Sequence, residues 1–234
     1  MTGTVGQPLT VLTDTLTEVG VPTPPSFVLA STEVQAHPLV PEVRLHLAND
    51  PIELWEAAEE AMGRQELDPP FWASVWPGGI ALARYLLDHP EVVSGRTVID
   101  VATGSGVVAI AAALAGARCV VACDTDDLAV HAAVVNAGLN RVRLTARNAD
   151  VRTVAPGGGA LVTAGDVFYD RDISTAMLAG LTALAETGSE VLVGDPYRSF
   201  LPHDRLEPLT TFDVVVDIAL EGQPFKTTLV SRLR

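Results

Sequence analysis

Val98-Ile99-Asp100-Val101-Ala102-Thr103-Gly104-Ser105-Gly106-Val107-Val108-Ala109 reads as a strand that enters a glycine loop and leaves it as a helix. Glycines at 104 and 106 permit a tight turn and let a ligand come up against the backbone, where the first turn of a helix offers unpaired N–H groups. Asp124 follows at the end of the next apolar run, 18 residues after Gly106, where a carboxylate accepts hydrogen bonds from ribose hydroxyls. The spacing points to an adenosine-type ligand. It also satisfies the loosened dinucleotide fingerprint, with Ala109 in the last small position. Asp100 separates the two readings, because dinucleotide-binding strands normally reach their glycines through apolar residues. A carboxylate there suits a ligand with an ammonium group, such as the methionine part of S-adenosylmethionine (SAM), and is awkward beside a pyrophosphate.

Outward from this stretch, short apolar strands alternate with helices. Strands are expected at Thr97–Ala102, Cys119–Cys123, Val142–Ala146, Ala160–Ala164 and Val191–Gly194, with helices at Val107–Ala115, Asp127–Gly138 and near Ile173–Glu186. That alternation marks a parallel sheet covered on both faces. Two further strand-like runs, Phe212–Ala219 and Phe225–Leu233, joined by Glu221-Gly222-Gln223-Pro224, predict an antiparallel hairpin at the end. The expected fold is α/β: a doubly wound, mostly parallel, seven-stranded Rossmann-like sheet finished by that hairpin. Upstream, helices are expected at Ile52–Met62, capped by Asp50 with Pro51 at its first position, and at Gly79–Asp88. Residues 1–50 carry six prolines and little periodicity, apart from a short helix around Leu12–Val19, and read as an arm or lid over a catalytic domain at 51–234.

Composition narrows the function. With 15 basic against 29 acidic residues the net charge is −14, a surface that repels phosphate backbones and anionic lipids, so neither nucleic acid nor a membrane is an expected partner. Lys226 is the only lysine, and the arginines form no basic stripe. Val107–Ala117, the longest apolar run, is too short to span a bilayer, and no N-terminal basic region marks a signal peptide, so the expected location is the cytoplasm. Cys119 and Cys123 share one strand, too far apart to bridge, and read as buried free thiols. His37, His46, His89 and His131 show no metal-ligand spacing, so no metal is expected. The run Gly157-Gly158-Gly159 reads as a turn, and His203 as either a solvated loop residue or a base near the site.

Asp100–Gly106, Asp124 and Asn148-Ala149-Asp150 together resemble the motifs of class I SAM-dependent methyltransferases, with Ala102 where many members have glycine. The resemblance implies that Asp124 binds the ribose and Asp150 the adenine of the donor. A narrower resemblance runs from about Phe27 to the end. Leu39–Leu47, Pro70-Phe71-Trp72-Ala73, Trp76-Pro77-Gly78-Gly79, Gly165–Asp170 and Gly194-Asp195-Pro196 are similar to the bacterial relatives of the electron-transfer-flavoprotein β-subunit lysine methyltransferase, often labelled nicotinamide N-methylase-like. This resemblance implies that Trp76 and Gly78 pack beside the donor and that Asp166 and Tyr169 face the acceptor. Those relatives usually carry glycine at the place of Tyr197, and Phe225 replaces a polar residue.

Asp166-Val167-Phe168-Tyr169-Asp170 also stands on its own, because ligands in doubly wound sheets bind beyond the carboxyl ends of the strands. A carboxylate and a phenol there can orient an amine or accept a proton, and the same acids could simply cap a helix. Asp166, Tyr169 and Tyr197 are the candidate catalytic residues; Trp76, Gly78, Asp100, Gly104, Gly106, Asp124 and Asp150 are the candidate donor ligands. The expected reaction moves a methyl group from SAM, leaving S-adenosylhomocysteine. For the acceptor, the added aromatics Tyr197 and Phe225 favour a small aromatic molecule such as an indole, with the arm as a lid, whereas the resemblance implies a lysine on a partner protein. A nicotinamide-dependent oxidoreductase and a non-catalytic SAM-binding module are the competing classes; the first lacks a recognisable hydride-transfer site, and the second would not need Asp166 and Tyr169.

Overall fold

The computed structural model describes residues 25–62, 69–155 and 159–234. After helix α1 (Pro25–Ser31) come an antiparallel pair, β1 (Glu33–His37) and β2 (Val40–Leu47), and helices α2 (Pro51–Met62) and α3 (Pro77–Asp88). The main body then alternates: β3 (Thr97–Val101), α4 (Val107–Leu114), β4 (Cys119–Asp124), α5 (Asp127–Leu139), β5 (Thr145–Asn148), β6 (Leu161–Gly165), α6 (Arg171–Glu186) and β7 (Glu190–Asp195). It closes with β8 (Leu206–Val215), the short α7 (Ile218–Glu221) and β9 (Phe225–Leu233).

The seven-stranded sheet has the order β5-β4-β3-β6-β7-β9-β8. Strands β3 to β7 pair in parallel; β9 is antiparallel to both β7 and β8. The expected fold is therefore the observed one. Strand order reverses between β3 and β6, which opens a crevice beyond their carboxyl ends. The Ala-rich helix α4 is buried along Val107–Ala112, and Gly106, at φ 83°, lets it approach α5 so closely that a Cβ would stand 3.0 Å from the Cα of Ala133. Small residues on α4 thus let two helices share one face of the sheet.

Several helix starts follow their local chemistry, and that of α3 does not. Asp126 and Asp170 cap α5 and α6 through their carboxylates. Helix α3 begins at Pro77 with no cap from its own neighbourhood, and its Gly78 N–H donates instead to Asp166 Oδ2, 88 residues away. Around that bond the backbones touch. A Cβ on Gly194 would sit 2.2 Å from the Gly78 carbonyl oxygen, and one on Gly165 would sit 2.8 Å from the Gly79 Cα. These glycines let the first turn of α3 rest directly on the ends of β6 and β7.

The segment read as an irregular arm contains the β1–β2 pair, and Val40, Val43, Leu45 and Leu47 belong to the same core as α3, α4 and β3. Val43, Leu45 and Leu47 do alternate with Arg44 and His46; Pro38 and Pro41 obscured the pattern. The strand expected at Val142–Ala146 begins three residues later, because the Val142 N–H still donates to Ala137 at the end of α5. The strand expected at Phe212–Ala219 is Leu206–Val215: Pro208 sits at a register shift on the sheet edge, and Asp217 caps a helical turn where strand was expected. Cys119 is exposed rather than buried, since it opens β4 at the amino-terminal rim; Cys123 is buried, and both are free. The helix at Leu12–Val19 and Gly157-Gly158 lie outside the described residues. Among the described residues no helix is long and apolar enough to cross a membrane.

Gly194→Ala is expected to lower the melting temperature by roughly 5–10 °C, equivalent to about 2–3 kcal/mol, because backbone must move to admit the methyl. Gly138→Ala, where a Cβ meets nothing within 4 Å in a helix, serves as the control and is expected to be neutral or stabilising in the same thermal melt.

Candidate active site

At the carboxyl end of β3 the loop 102–106 presents backbone to solvent. Ala102 is exposed and Gly104 half-buried, while Thr103, Ser105 and Gly106 are buried. Ala102 has φ 51°, a left-handed conformation that favours glycine, which accounts for the glycine found there in many methyltransferases. Asp100 lies beneath, 1% exposed, accepting from Thr103 Oγ1 at 2.6 Å and from Thr163 Oγ1 at 2.7 Å. Burial pushes its carboxyl up to about 6, against the two hydroxyls and the Ala109 N–H, which favour the charged form. Asp100 thus ties the loop to β6, a role its position in the motif did not disclose.

Asp124 accepts from the Gly104 N–H at 2.9 Å and from the Asp126 N–H at 3.1 Å, and burial raises its carboxyl above the usual range. Next to it, the Ala149 N–H donates to the Asp124 carbonyl, which brings Asp150 to the same rim. Asp150 is held by Arg152 through Nε and Nη2 at 2.8 and 2.7 Å, and that fork depresses its carboxyl below the usual range. Gly104, Gly106, Asp124 and Asp150 therefore stand together.

The other half of the crevice is built on Asp166, buried after β6 at φ 57°. Its Oδ1 accepts from Arg198 Nε at 2.7 Å while Oδ2 takes the Gly78 N–H, and burial still raises its carboxyl. Arg198 extends the chain of charges through a two-pronged pair with Glu221, which Lys226 also reaches at 3.3 Å. Above it lie aromatic rings. The Arg198 guanidinium stands 6.0 Å from the Trp76 ring, Trp76 meets Phe71 edge-on at 5.8 Å, and Phe71 meets Tyr169 at 5.9 Å. Trp76 also donates its indole N–H to the Phe71 carbonyl. Trp72, beside Phe71, is buried, and its Cα lies 3.8 Å from where a Cβ on Gly104 would be. The Phe71–Trp76 segment thus runs from the glycine loop to Asp166 and Tyr169.

Tyr197, at φ 62° and half exposed, stacks on His203 at 6.0 Å. The two line an open groove of about 400 Å³ along β8 with Leu206, Pro208 and Thr210. Its left-handed backbone is one that favours glycine, and its ring meets the groove and not the Trp76–Phe71–Tyr169 group. Gly78 serves as a packing and capping residue for α3. Sequence reasoning missed Arg198, Glu221, Thr103 and Thr163. Arg198 follows Tyr197 directly, but nothing local reveals that it turns back to Asp166, 32 residues earlier.

A glycine loop at the switch point, an acid ending the neighbouring strand and a carboxyl-terminal antiparallel hairpin define a class I methyltransferase. Residues 82–157 match the family model for ribosomal protein L11 methyltransferase (PrmA). The electron transfer flavoprotein β-subunit lysine methyltransferase of Xenopus laevis is 37% identical over 199 residues, covering 82% of this chain and 79% of its own. That of Danio rerio is 39% identical over 177 residues, covering 74% and 67%. Magnesium protoporphyrin IX methyltransferase from Synechocystis, solved with bound SAM, superposes with a TM-score of 0.50 at 16% identity, covering 65% of this chain and 78% of that one, a likeness of fold. The chain belongs to the electron transfer flavoprotein β-subunit lysine methyltransferase family, and it is a SAM-dependent enzyme. Its loop fits that donor: Ala102 and Gly104 expose only backbone and a methyl group to the crevice.

Since the Asp100 carboxyl is raised from about 3.9 in the unfolded chain to about 6, its contribution is fully present below pH 4 and lost as pH rises through 6. Between those limits wild type should lose on the order of 2–3 kcal/mol relative to Asp100→Asn, measured by denaturant unfolding at several pH values. Parallel curves for the two proteins would contradict the assignment.

Proposed function

We propose that the enzyme methylates lysine on a partner protein of the electron transfer flavoprotein β-subunit kind. The observation that carries this reading is the 37% identity sustained over 82% of the chain to an enzyme named for that acceptor. A surface of net charge −14 supports it, because it steers a basic segment toward the enzyme. The buried acids Asp166 and Glu221 supply negative potential on the acceptor side.

In this reading the backbone at Ala102–Gly106 receives the donor, with Asp124 on the ribose and Asp150 on the adenine. Asp100 acts from beneath, fixing the loop and placing negative charge under the methionine ammonium. Trp76 walls the crevice between donor and acceptor. When bound, the donor supplies an electrophilic methyl on a sulfonium. The chain's own task is to align an amine with it in a dry site and to handle one proton. Tyr169, half exposed beside Phe71, is placed to orient the incoming amine, and Asp166 fixes the end of β6 that carries it.

The small aromatic acceptor has less behind it. Tyr197 and Phe225, the residues that suggested it, are 49% and 56% exposed, and the groove beside Tyr197 is open. A small aromatic ligand would need enclosure that these rings do not supply. A lid formed by the first residues lies outside the described ones.

Incubation with SAM and a purified electron transfer flavoprotein β subunit should add methyl groups to lysine, read by intact-mass and peptide mass spectrometry. Turnover of indoles with no protein methylation would overturn the reading. Asp124→Ala is expected to weaken S-adenosylhomocysteine binding roughly 10- to 100-fold in calorimetry. Tyr169→Phe should leave that binding intact and lower turnover; unchanged kcat would remove the phenol from the mechanism.

A further inference from the structure

The acids at the strand ends can be compared oxygen by oxygen. Asp100 gives both to threonine hydroxyls, and Asp124 gives both to backbone N–H groups. Both oxygens of Asp150 accept from Arg152, those of Asp166 from Arg198 and Gly78, and those of Glu221 from Arg198, with Lys226 near one. Asp195, ending β7, is different. Its Oδ1 accepts from the Arg198 N–H at 2.6 Å, and the Tyr197 N–H also favours its charged form, while its Oδ2 is buried and has no hydrogen-bond partner among the described residues. A buried, unpartnered carboxylate oxygen is costly, and it persists where function keeps it.

From this comparison we propose, resting on the lysine-acceptor reading, that Asp195 accepts the proton of the acceptor ammonium. Asp195 follows Gly194, whose carbonyl takes the Asp166 N–H, and its carboxyl lies near enough to Asp166 and Arg198 for both charges to act on it. Asp166 is a poor base, locked to a guanidinium and a helix start. The proton passes from the ammonium nitrogen to Oδ2, breaking an N–H bond and forming an O–H bond. The freed lone pair then forms the N–CH3 bond as the C–S bond of the donor breaks and its electron pair stays on sulfur. Asp195 is 1% exposed, so it takes the proton only from an amine bound directly against it. The charged groups around it are Asp166 on β6 and Arg198 in its own turn, with Glu221 on α7 and Lys226 on β9 behind them. Burial, reinforced by Asp166, pushes the Asp195 carboxyl up to about 7, which suits a base working near neutrality.

Asp195→Asn keeps the shape and removes the proton acceptor. With the β subunit as substrate, kcat should fall roughly 10²- to 10⁴-fold at pH 7 with KM little changed and S-adenosylhomocysteine affinity unaltered. The acid limb of the wild-type pH profile, with its midpoint near 7, should move upward in the variant. Unchanged kcat with the same acid limb would overturn the proposal. Infrared difference titration of the wild-type protein, without acceptor, should show a carboxylic acid band that ionises near pH 7 and is absent from Asp195→Asn. An Asp195 ionised throughout pH 5–9 would overturn the proposal whatever the acceptor is, and Asp195→Ala, which also lacks the carboxyl, replaces Asp195→Asn if the latter does not fold. A wild-type enzyme that methylates no protein lysine, yet shows the band, refutes the lysine reading rather than the raised carboxyl.

Discussion

Asp166 sits where four parts of the chain must meet, and its two oxygens settle how they do so. One holds the Gly78 N–H at the start of α3, and the other holds Arg198, which in turn reaches Glu221 on α7. Both oxygens of this buried carboxylate are paired, which offsets the cost of burying it, so the ion pair and the helix cap depend on one another. Removing Arg198 would leave two buried acids with less compensation; removing Asp166 would leave a helix start without its acceptor. The glycines at 78, 165 and 194 follow from the same junction, since side chains there would push α3 away from the carboxylate that caps it. The acceptor half of the crevice is therefore a consequence of how α3 is anchored.

Backbone strain falls in the same region. Among the described non-glycine residues with positive φ, Ala102, Asp166 and Tyr197 lie within two residues of the end of a central strand, β3, β6 and β7, and Arg141 lies elsewhere. Left-handed backbone costs on the order of 1 kcal/mol for such residues, and it turns the chain sharply at the rim where ligands bind. At Ala102 the cost of a methyl is small and the loop keeps its exposed backbone. At Tyr197 a full aromatic ring occupies a glycine-like conformation, and its ring packs on His203 over the groove instead of entering the crevice.

Much of the fold was legible because its signals are local. Strands β3, β4, β6 and β7 are short apolar runs, α5 and α6 carry Asp caps, and glycines mark the turn from β3 into α4. What stayed hidden depends on distant pairing. Nothing near Arg198 or Glu221 in the chain announces that they meet Asp166, and the close approach of Gly78 to Gly194, more than 100 residues away, leaves no local signal either. The β1–β2 pair was obscured differently: prolines flanked an alternating run whose apolar side is buried by α3, α4 and α5. Aromatic residues at 197 and 225 suggested an enclosed pocket, but sequence does not tell which way a ring points.

For a lysine acceptor, the charges around Asp166 face opposing demands. Methyl transfer moves a positive charge from sulfur to nitrogen, so fixed anions near the amine stabilise the product side of the reaction. The same anions hold the amine protonated beforehand, and a protonated amine has no lone pair to give. Asp166 and Glu221 alone would bind the ammonium well and deprotonate it poorly. Arg198 and Lys226 offset those two acids within the cluster, at 2.7 Å from Asp166 and 3.3 Å from Glu221, leaving it close to neutral except for Asp195. A site of that composition can admit a cation without trapping it, because the one carboxyl still free to act is neutral or charged according to where the proton is. On the lysine reading the buried guanidinium would belong to the chemistry as well as to the fold, offsetting the two acids so that a lysine drawn to them can still give up its proton.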